Sequence, residues 1–195
     1  MASDRFERAI AAIDAANADD PHVIEVRGAV RPKEQAHAEL MSEWVLALDP
    51  AADEAQLLAA RAHHLRRWTS PRASYPEGRA GYLRWRTALR KQHATEVADI
   101  LVDVGYGPEV VERVQAIVEK RGLGTDPAAQ VHEDALCLVF LETQLAGTAA
   151  RLGDAKAVEV IRKTAAKMSP AGLARAAELP LPPEARDLLS RALTP

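Results

Sequence analysis

Apolar residues recur at intervals of three and four along almost the whole chain, the spacing that gathers side chains onto one face of an α-helix. Phe6, Ile10 and Ile13 mark a first helix, which Asp4 and Glu7 can open as a capping box. Residues 18–31 lack clear periodicity and read as a loop. Pro32 opens a second helix to about Leu48, with His37, Met41, Trp44 and Leu48 on one face. A third runs from about Asp53 to Trp68 along Leu57, Ala60, His64 and Trp68, and Ser70-Pro71 ends it. After the loop SPRASYPEG, a long helix from about Arg79 to Val104 aligns Leu89, His93, Val97 and Ile100 until Gly105 and Gly107-Pro108 stop it. Val111, Val114, Ile117 and Val118 define a fifth helix over 108–121, closed by RGLG. Asp126-Pro127 caps a sixth that reaches about Leu152 and carries Val131, Asp134, Leu138, Leu141 and Leu145 on one stripe. A seventh spans about Asp154 to Met168, and the proline-rich tail holds two short helices. With no alternating strand pattern and no internal repeat, the prediction is one all-α domain over 1–195, a bundle of about seven helices plus short C-terminal ones.

Composition agrees. A chain of 195 residues can bury a core without disulfides or a structural metal. Its apolar content, 48%, is mostly Ala, Leu and Val with only 4% aromatics, which favours packed helices. Cys137 is the only cysteine and sits in an apolar run, so it reads as core and points to a reducing compartment. The N-terminus MASDRFERAI lacks a basic region followed by an apolar stretch, and no segment approaches the roughly 18 consecutive apolar residues of a membrane span. The expectation is a cytoplasmic protein with no membrane association.

Charge changes the picture. Between Arg61 and Lys91 nine basic residues face one acid, Glu77, a local charge of +8 in a chain whose net charge is -3. Half of the eight aromatics, from Trp68 to Trp85, fall in the same window. Tyr82, Arg86 and Arg90 lie four apart on one helical face, joined by Arg79, while Arg66, Arg67 and Arg72 precede them. Guanidinium forks pair bidentately with phosphate or carboxylate. The other reading has these arginines pairing with acids such as Glu39, Glu43, Asp99 and Asp103 on a solvated surface.

Polar residues on the apolar stripes carry the chemistry. His37, His64, His93 and Asp134 each interrupt an otherwise apolar face, and a buried carboxylate needs a cation or donors to offset several kcal/mol of lost hydration. Imidazoles and a carboxylate converging from several helices could share one divalent ion. Singly, each has a plainer role: a hydrogen-bonded core histidine, or an aspartate paired with an arginine of the basic window. His22 and His132 take no role on this reading.

The segment AARAHHL, a histidine one helix earlier at His37, and HEDALCLVFLE from His132 to Glu142 together resemble the HD-domain metal-dependent phosphohydrolases. The resemblance covers about residues 30–145, and implies an HD-like core of about 30–150 with the helices of 154–193 packed on it. By position, His37 would be the first ligand, His63 and His64 the paired site, and Asp134 the last, with His93 matching an additional metal- or substrate-contacting histidine. The helical phase instead turns His64 inward, which would move the register by one. Where that family has Asp after His, this chain has His64, and an imidazole cannot bridge two ions as a carboxylate does, which leaves a mononuclear site or none. Over its whole length the chain also resembles the family known as domain of unknown function 4202, through HLRRW, YPEGRAGYLRWR and EDALCLVFLE.

These readings lead to a metal-dependent phosphohydrolase of a nucleotide or small phosphate ester. His37, His63 or His64, and Asp134 would hold Mn, Fe, Co, Ni or a similar divalent ion. Glu133 or His93 would act in catalysis, and Arg66, Arg67, Arg72, Arg79, Tyr82 and Arg86 would hold the anionic substrate. The alternative is a non-catalytic HD-like protein that binds a nucleotide, RNA or another anion through the window 61–91, with nucleic acid the less favoured ligand. A helical scaffold is the third, weakened by the lack of a long exposed apolar stripe.

Overall fold

Cap chemistry sets several of the helix boundaries. In the computed structural model, which describes residues 4–194, the helices are α1 (Asp4–Ala18), α2 (Lys33–Leu48), α3 (Glu54–Arg61), α4 (Gly78–Asp103), α5 (Pro108–Val118), α6 (Pro127–Leu152), α7 (Asp154–Ala165), α8 (Pro170–Ala177) and α9 (Pro183–Leu193). Asp53 and Gln56 form a capping box at α3, and the Asp126 carboxylate accepts from Ala128 N at the start of α6. Ser169 caps α8 by accepting from Gly172 N. Gly153, at φ 78, ends α6 and turns the chain into α7. The fold is all-α and single-domain, as the periodicity predicts.

Three boundaries differ from the sequence reading. Residues 18–31 are not wholly loop: β1 (Val23–Val26) and β2 (Ala29–Pro32) form an antiparallel hairpin with Val26 opposite Ala29. Arg27 and Gly28 both take positive φ in the two-residue turn, which suits the strands' twist. Strands of four residues, with Val23 and Val30 exposed, are too short and too open to show a period. Asp4 lies inside the first turn of α1 and pairs with Arg8 instead of forming a box with Glu7. The third helix stops at Arg61, well before Trp68, so His63 and His64 stand in the turns that follow it.

That early stop is held by tertiary contacts. Arg66 adopts the left-handed conformation, φ 48, which costs a non-glycine residue about 1 kcal/mol or more. Its amide donates to the buried Asn17 side chain of α1 at 3.0 Å, and the Leu65 carbonyl accepts from His93 Nδ1 of α4 at 2.8 Å. Side chains from two other helices thus replace the bonds a continued helix would have made.

Core residues from α1, α3, α4 and α5 form one cluster around Leu58, Leu65, Leu101 and Ile117, and α6 to α9 form another around Leu141, Leu145 and Ile161. Leu40, Met41 and Val45 of α2 meet Ala135 and Val139 of α6 and join the two. Each such Leu or Ile contributes about 1.5–3 kcal/mol on burial. Cys137 is buried among them, and burial pushes its thiol up to about 12. Among the described residues only α6 has the length and composition to cross a membrane; here it packs against α2, α7 and α8.

Candidate metal and anion site

Glu34 and His37 lie one turn apart on α2, so their side chains share its buried face. His64, brought over by the turn after α3, completes a cluster whose three ligand atoms lie within 4.8 Å of one another. Glu34 Oε2 is 3.0 Å from His64 Nδ1 and 3.5 Å from His37 Nδ1. The Glu34 amide donates to the buried Asp20 carboxylate at 2.9 Å, fixing the start of α2. Behind the cluster, the Thr143 hydroxyl of α6 is 3.4 Å from His37 Nε2. In front, Arg67 NH1 is 3.3 Å from His64 Nε2, and its guanidinium lies 4.8 Å over the Trp85 ring. Burial alone would raise the Glu34 carboxyl, but the imidazoles of His64 and His37 hold it well below the usual carboxylate range. Burial lowers His64 to about 3, with the charge of Arg67 adding to the effect and Glu34 opposing it.

A second group of imidazoles stands beside the first. His63 Nδ1 is 2.8 Å from His132 Nε2 across the α3–α6 junction, and the rings of His63 and His64 are 4.1 Å apart. His93, its Nδ1 committed to Leu65, has its ring 5.9 Å from that of His64. Burial, the largest cause in each case, lowers His93 to about 4, His132 to about 3 and His63 well below its ordinary value. The Nε2 atoms of His63 and His93 are buried without a hydrogen-bond partner. Both residues line a cavity of about 50 Å³ with His64, Arg67, Arg86, Arg90 and Lys120.

Asp134 is not in this cluster. It follows His132 by two residues, about 200° around the helix, and therefore faces away from His63. Its carboxylate accepts from Ser169 N at 2.9 Å, Ser169 Oγ at 2.5 Å and Gln130 Nε2 at 3.0 Å. The expected ligand instead fastens α8 to α6. Gly172 is required there, because a Cβ would sit 2.7 Å from Asp134 Cγ. The expected base Glu133 is likewise occupied: it forms a buried ion pair with Lys120, and Lys167 Nζ lies 3.8 Å from its other oxygen. Lys120 is left-handed, φ 61, at the end of α5, which turns its ammonium inward. Burial lowers its pKa and Glu133 opposes that shift.

The basic window divides by role. Arg61 pairs with Asp14 at 2.6 Å, and Arg72 donates to the carbonyls of Tyr75 and Pro76 at 2.9 and 2.8 Å, which makes it a fastener of its own loop. Arg66 and Arg79 are exposed, and Tyr82, half-exposed, meets the guanidinium of Arg86 at 5.8 Å from its ring. Glu39 and Glu43 are engaged by Arg31 and Arg27. Arg67, Arg86 and Arg90 are the window's arginines that reach the cavity. Of the residues the sequence singles out, His37, His63, His64, His93, Arg67, Arg86 and Arg90 come together here, whereas Glu34, His132 and Lys120 are ones it misses. A carboxylate three residues before His37 was the available signal for Glu34, since Glu-x-x-His places both groups on one helix face.

A protein-family model described as Domain of unknown function (DUF4202) matches residues 7–189. No curated protein and no solved structure matches the chain significantly.

Proposed function

The chain belongs to the DUF4202 family, and we propose that it is a metal-dependent phosphohydrolase of a nucleotide or small phosphate ester, with Glu34, His37 and His64 as the protein ligands of one ion. The observation that carries this reading is the convergence of those three donors beside a cavity walled by arginine and lysine. Two of the three donor spacings are near those of an ion site: at bond lengths of about 2.0–2.2 Å, ligand atoms of a tetrahedral site lie about 3.3–3.6 Å apart, against 3.0 and 3.5 Å from Glu34 to the two imidazoles, with all three donors within 4.8 Å of one another. Two imidazoles and one carboxylate suit Mn, Fe, Co, Ni or Zn better than Mg. Three protein ligands are also the number a catalytic centre uses when it leaves a position for solvent or substrate. The likeness to HD-domain phosphohydrolases then rests on His37 and on the histidine after α3, with Glu34 taking the place expected of Asp134.

A divalent ion held there supplies Lewis acidity toward water and toward phosphoryl oxygens. The chain's own groups do the rest. Arg67 donates to His64 Nε2, so His64 carries its proton on Nδ1 and donates it in a hydrogen bond to Glu34; Nδ1 would have to lose that proton to serve as a metal ligand. His93, with Nδ1–H given to Leu65, presents the Nε2 lone pair to the cavity and can orient a water as it attacks phosphorus. Arg67, Arg86 and Lys120 bind the equatorial phosphoryl oxygens, whose charge persists through the transition state.

Metal analysis of protein purified without chelator, followed by phosphate release from a panel of phosphate esters with Mn, Co, Ni or Zn, tests the proposal. About one equivalent of metal, lost in Glu34→Gln and His64→Ala together with phosphate release, is the expected result. Failure to bind any of these ions and to release phosphate overturns it. The Arg67–His64–Glu34 hydrogen bonds, with His37 in 3.5 Å contact with Glu34, are made by protein groups alone, which favours a second reading, a non-catalytic anion-binding protein. On that reading an anion raises Tm equally with and without EDTA.

A further inference from the structure

The cavity beside the histidines does not end the cationic surface. A groove of about 230 Å³ shares Arg86, Arg90 and Lys120 with it and continues outward to Leu83, Thr87, Leu123, Glu133 and Lys167. The inner space, about 50 Å³, takes a few water-sized groups, which is the size of one tetrahedral oxyanion and excludes a sugar or base ring. Whatever the oxyanion is attached to must lie in the groove.

Charge decides what that remainder is. Arg67, Arg86, Arg90, Lys120 and Lys167 line the two spaces, and Glu133 is the single carboxylate in their walls. Among the described residues, no carboxylate lies within ion-pair distance of Arg86 or Arg90, whereas Arg61 earlier in the window is paired twice. A phosphomonoester brings about -1.5 to -2. With Glu133 and Glu34, which lies 4.0 Å from Arg67, set against the five cations, it leaves roughly one positive charge uncompensated in a partly desolvated groove, where unpaired charge is unfavourable. Lys167 is the outermost of the five cations, 43% exposed, and among the described residues its one ion-pair contact is the 3.8 Å approach to Glu133, whose other oxygen already serves Lys120.

We infer that the substrate is a phosphomonoester carrying a second anionic group, phosphate or carboxylate, with the phosphoryl group in the inner cavity and the second anion held in the groove by Lys167 and the outer faces of Arg86 and Arg90. This rests on the phosphate site of the proposed function. It makes Lys167 a specificity residue outside the metal centre. Simple alkyl phosphates would be poor ligands, and affinity for the doubly anionic ones would fall with salt more steeply than affinity for phosphate.

The test compares inorganic phosphate, propyl phosphate and 1,3-propanediol bisphosphate by calorimetry at low salt, on the full chain in EDTA and again with Mn. The last two probes differ only in the second anion. The bisphosphate is expected to bind about tenfold more tightly than propyl phosphate, the ratio one added charge-assisted contact provides. Lys167→Gln is expected to remove most of that ratio while leaving propyl phosphate within about twofold. Lys167 is exposed and caps no helix, so the variant folds; Lys167→Arg should restore the preference. Equal affinity for the two probes, or a preference that survives Lys167→Gln, overturns the inference while the phosphate site stands. Failure of all three probes to bind, with or without Mn, overturns the phosphate site and this inference with it.

Discussion

Removing the Asp134 carboxylate separates a structural aspartate from a metal ligand. In Asp134→Ala, Ser169 N loses its acceptor, and an unpaired, partly buried amide costs about 1–2 kcal/mol. The Ser169 hydroxyl loses the partner that orients it toward Gly172 N, which weakens a cap worth about 1 kcal/mol. Gln130 keeps the Lys167 carbonyl as an acceptor at 2.9 Å, so its loss is small. The total is about 2–3 kcal/mol, and for a domain of this size each kcal/mol lowers Tm by about 2–4 °C, so a fall of about 4–12 °C is expected. Asp134→Asn, which retains one oxygen, should fall by about half as much. Gly172→Ala should reproduce the loss sterically, because its Cβ would press on the same carboxylate. Thermal melts followed by circular dichroism give the stability; titration with Mn or Zn gives the metal affinity, expected unchanged within about twofold. An Asp134→Asn protein that melts like wild type but no longer binds metal would refute this account and make Asp134 a ligand.

Other outcomes follow from the same geometry. Glu34→Gln and His37→Ala should each weaken metal binding by about 100-fold or more, and Thr143→Val, which removes the hydroxyl near His37 Nε2, by about tenfold in the same titration. Lys120→Met should cost about 3–5 kcal/mol in urea denaturation by stranding buried Glu133, and Lys120→Met with Glu133→Leu should regain most of it. With EDTA present, stability should decline as pH falls below about 6.5: His93 and His132 fold neutral, with pKa about 4 and about 3, so the unfolded chain takes up protons that the folded one refuses. Each then contributes a loss of about 2 kcal/mol by pH 5, continuing toward its folded pKa, and urea midpoints that match at pH 7 and pH 5 would contradict it. Arg72→Ala should lower Tm without changing phosphate affinity, whereas Arg86→Ala should weaken phosphate binding about tenfold at unchanged Tm.

Local chemistry in the chain determined the helices. Three- and four-residue spacing, prolines in first turns, and the caps Asp53, Asp126 and Gly153 act within a few residues of themselves, so α2, α4, α5 and α6 begin and end close to where the pattern places them. The same pattern shows that His37, His64 and His93 interrupt apolar faces, and charge counting finds Arg67 and Arg86. Partner choice is a different kind of fact. Nothing within a helical turn of His64 stops α3 at Arg61; Asn17 and His93, distant in sequence, take over the backbone bonds there and deliver both histidines to the site. Asp134 occupies an apolar stripe as a ligand would, yet its oxygens meet Ser169, a residue whose position depends on how the C-terminal helices dock. Glu34 and Lys120 gain their roles only when α2 meets the turn after α3 and α5 meets α6, because a buried charge is defined by what lies opposite it, and only the packed fold supplies that.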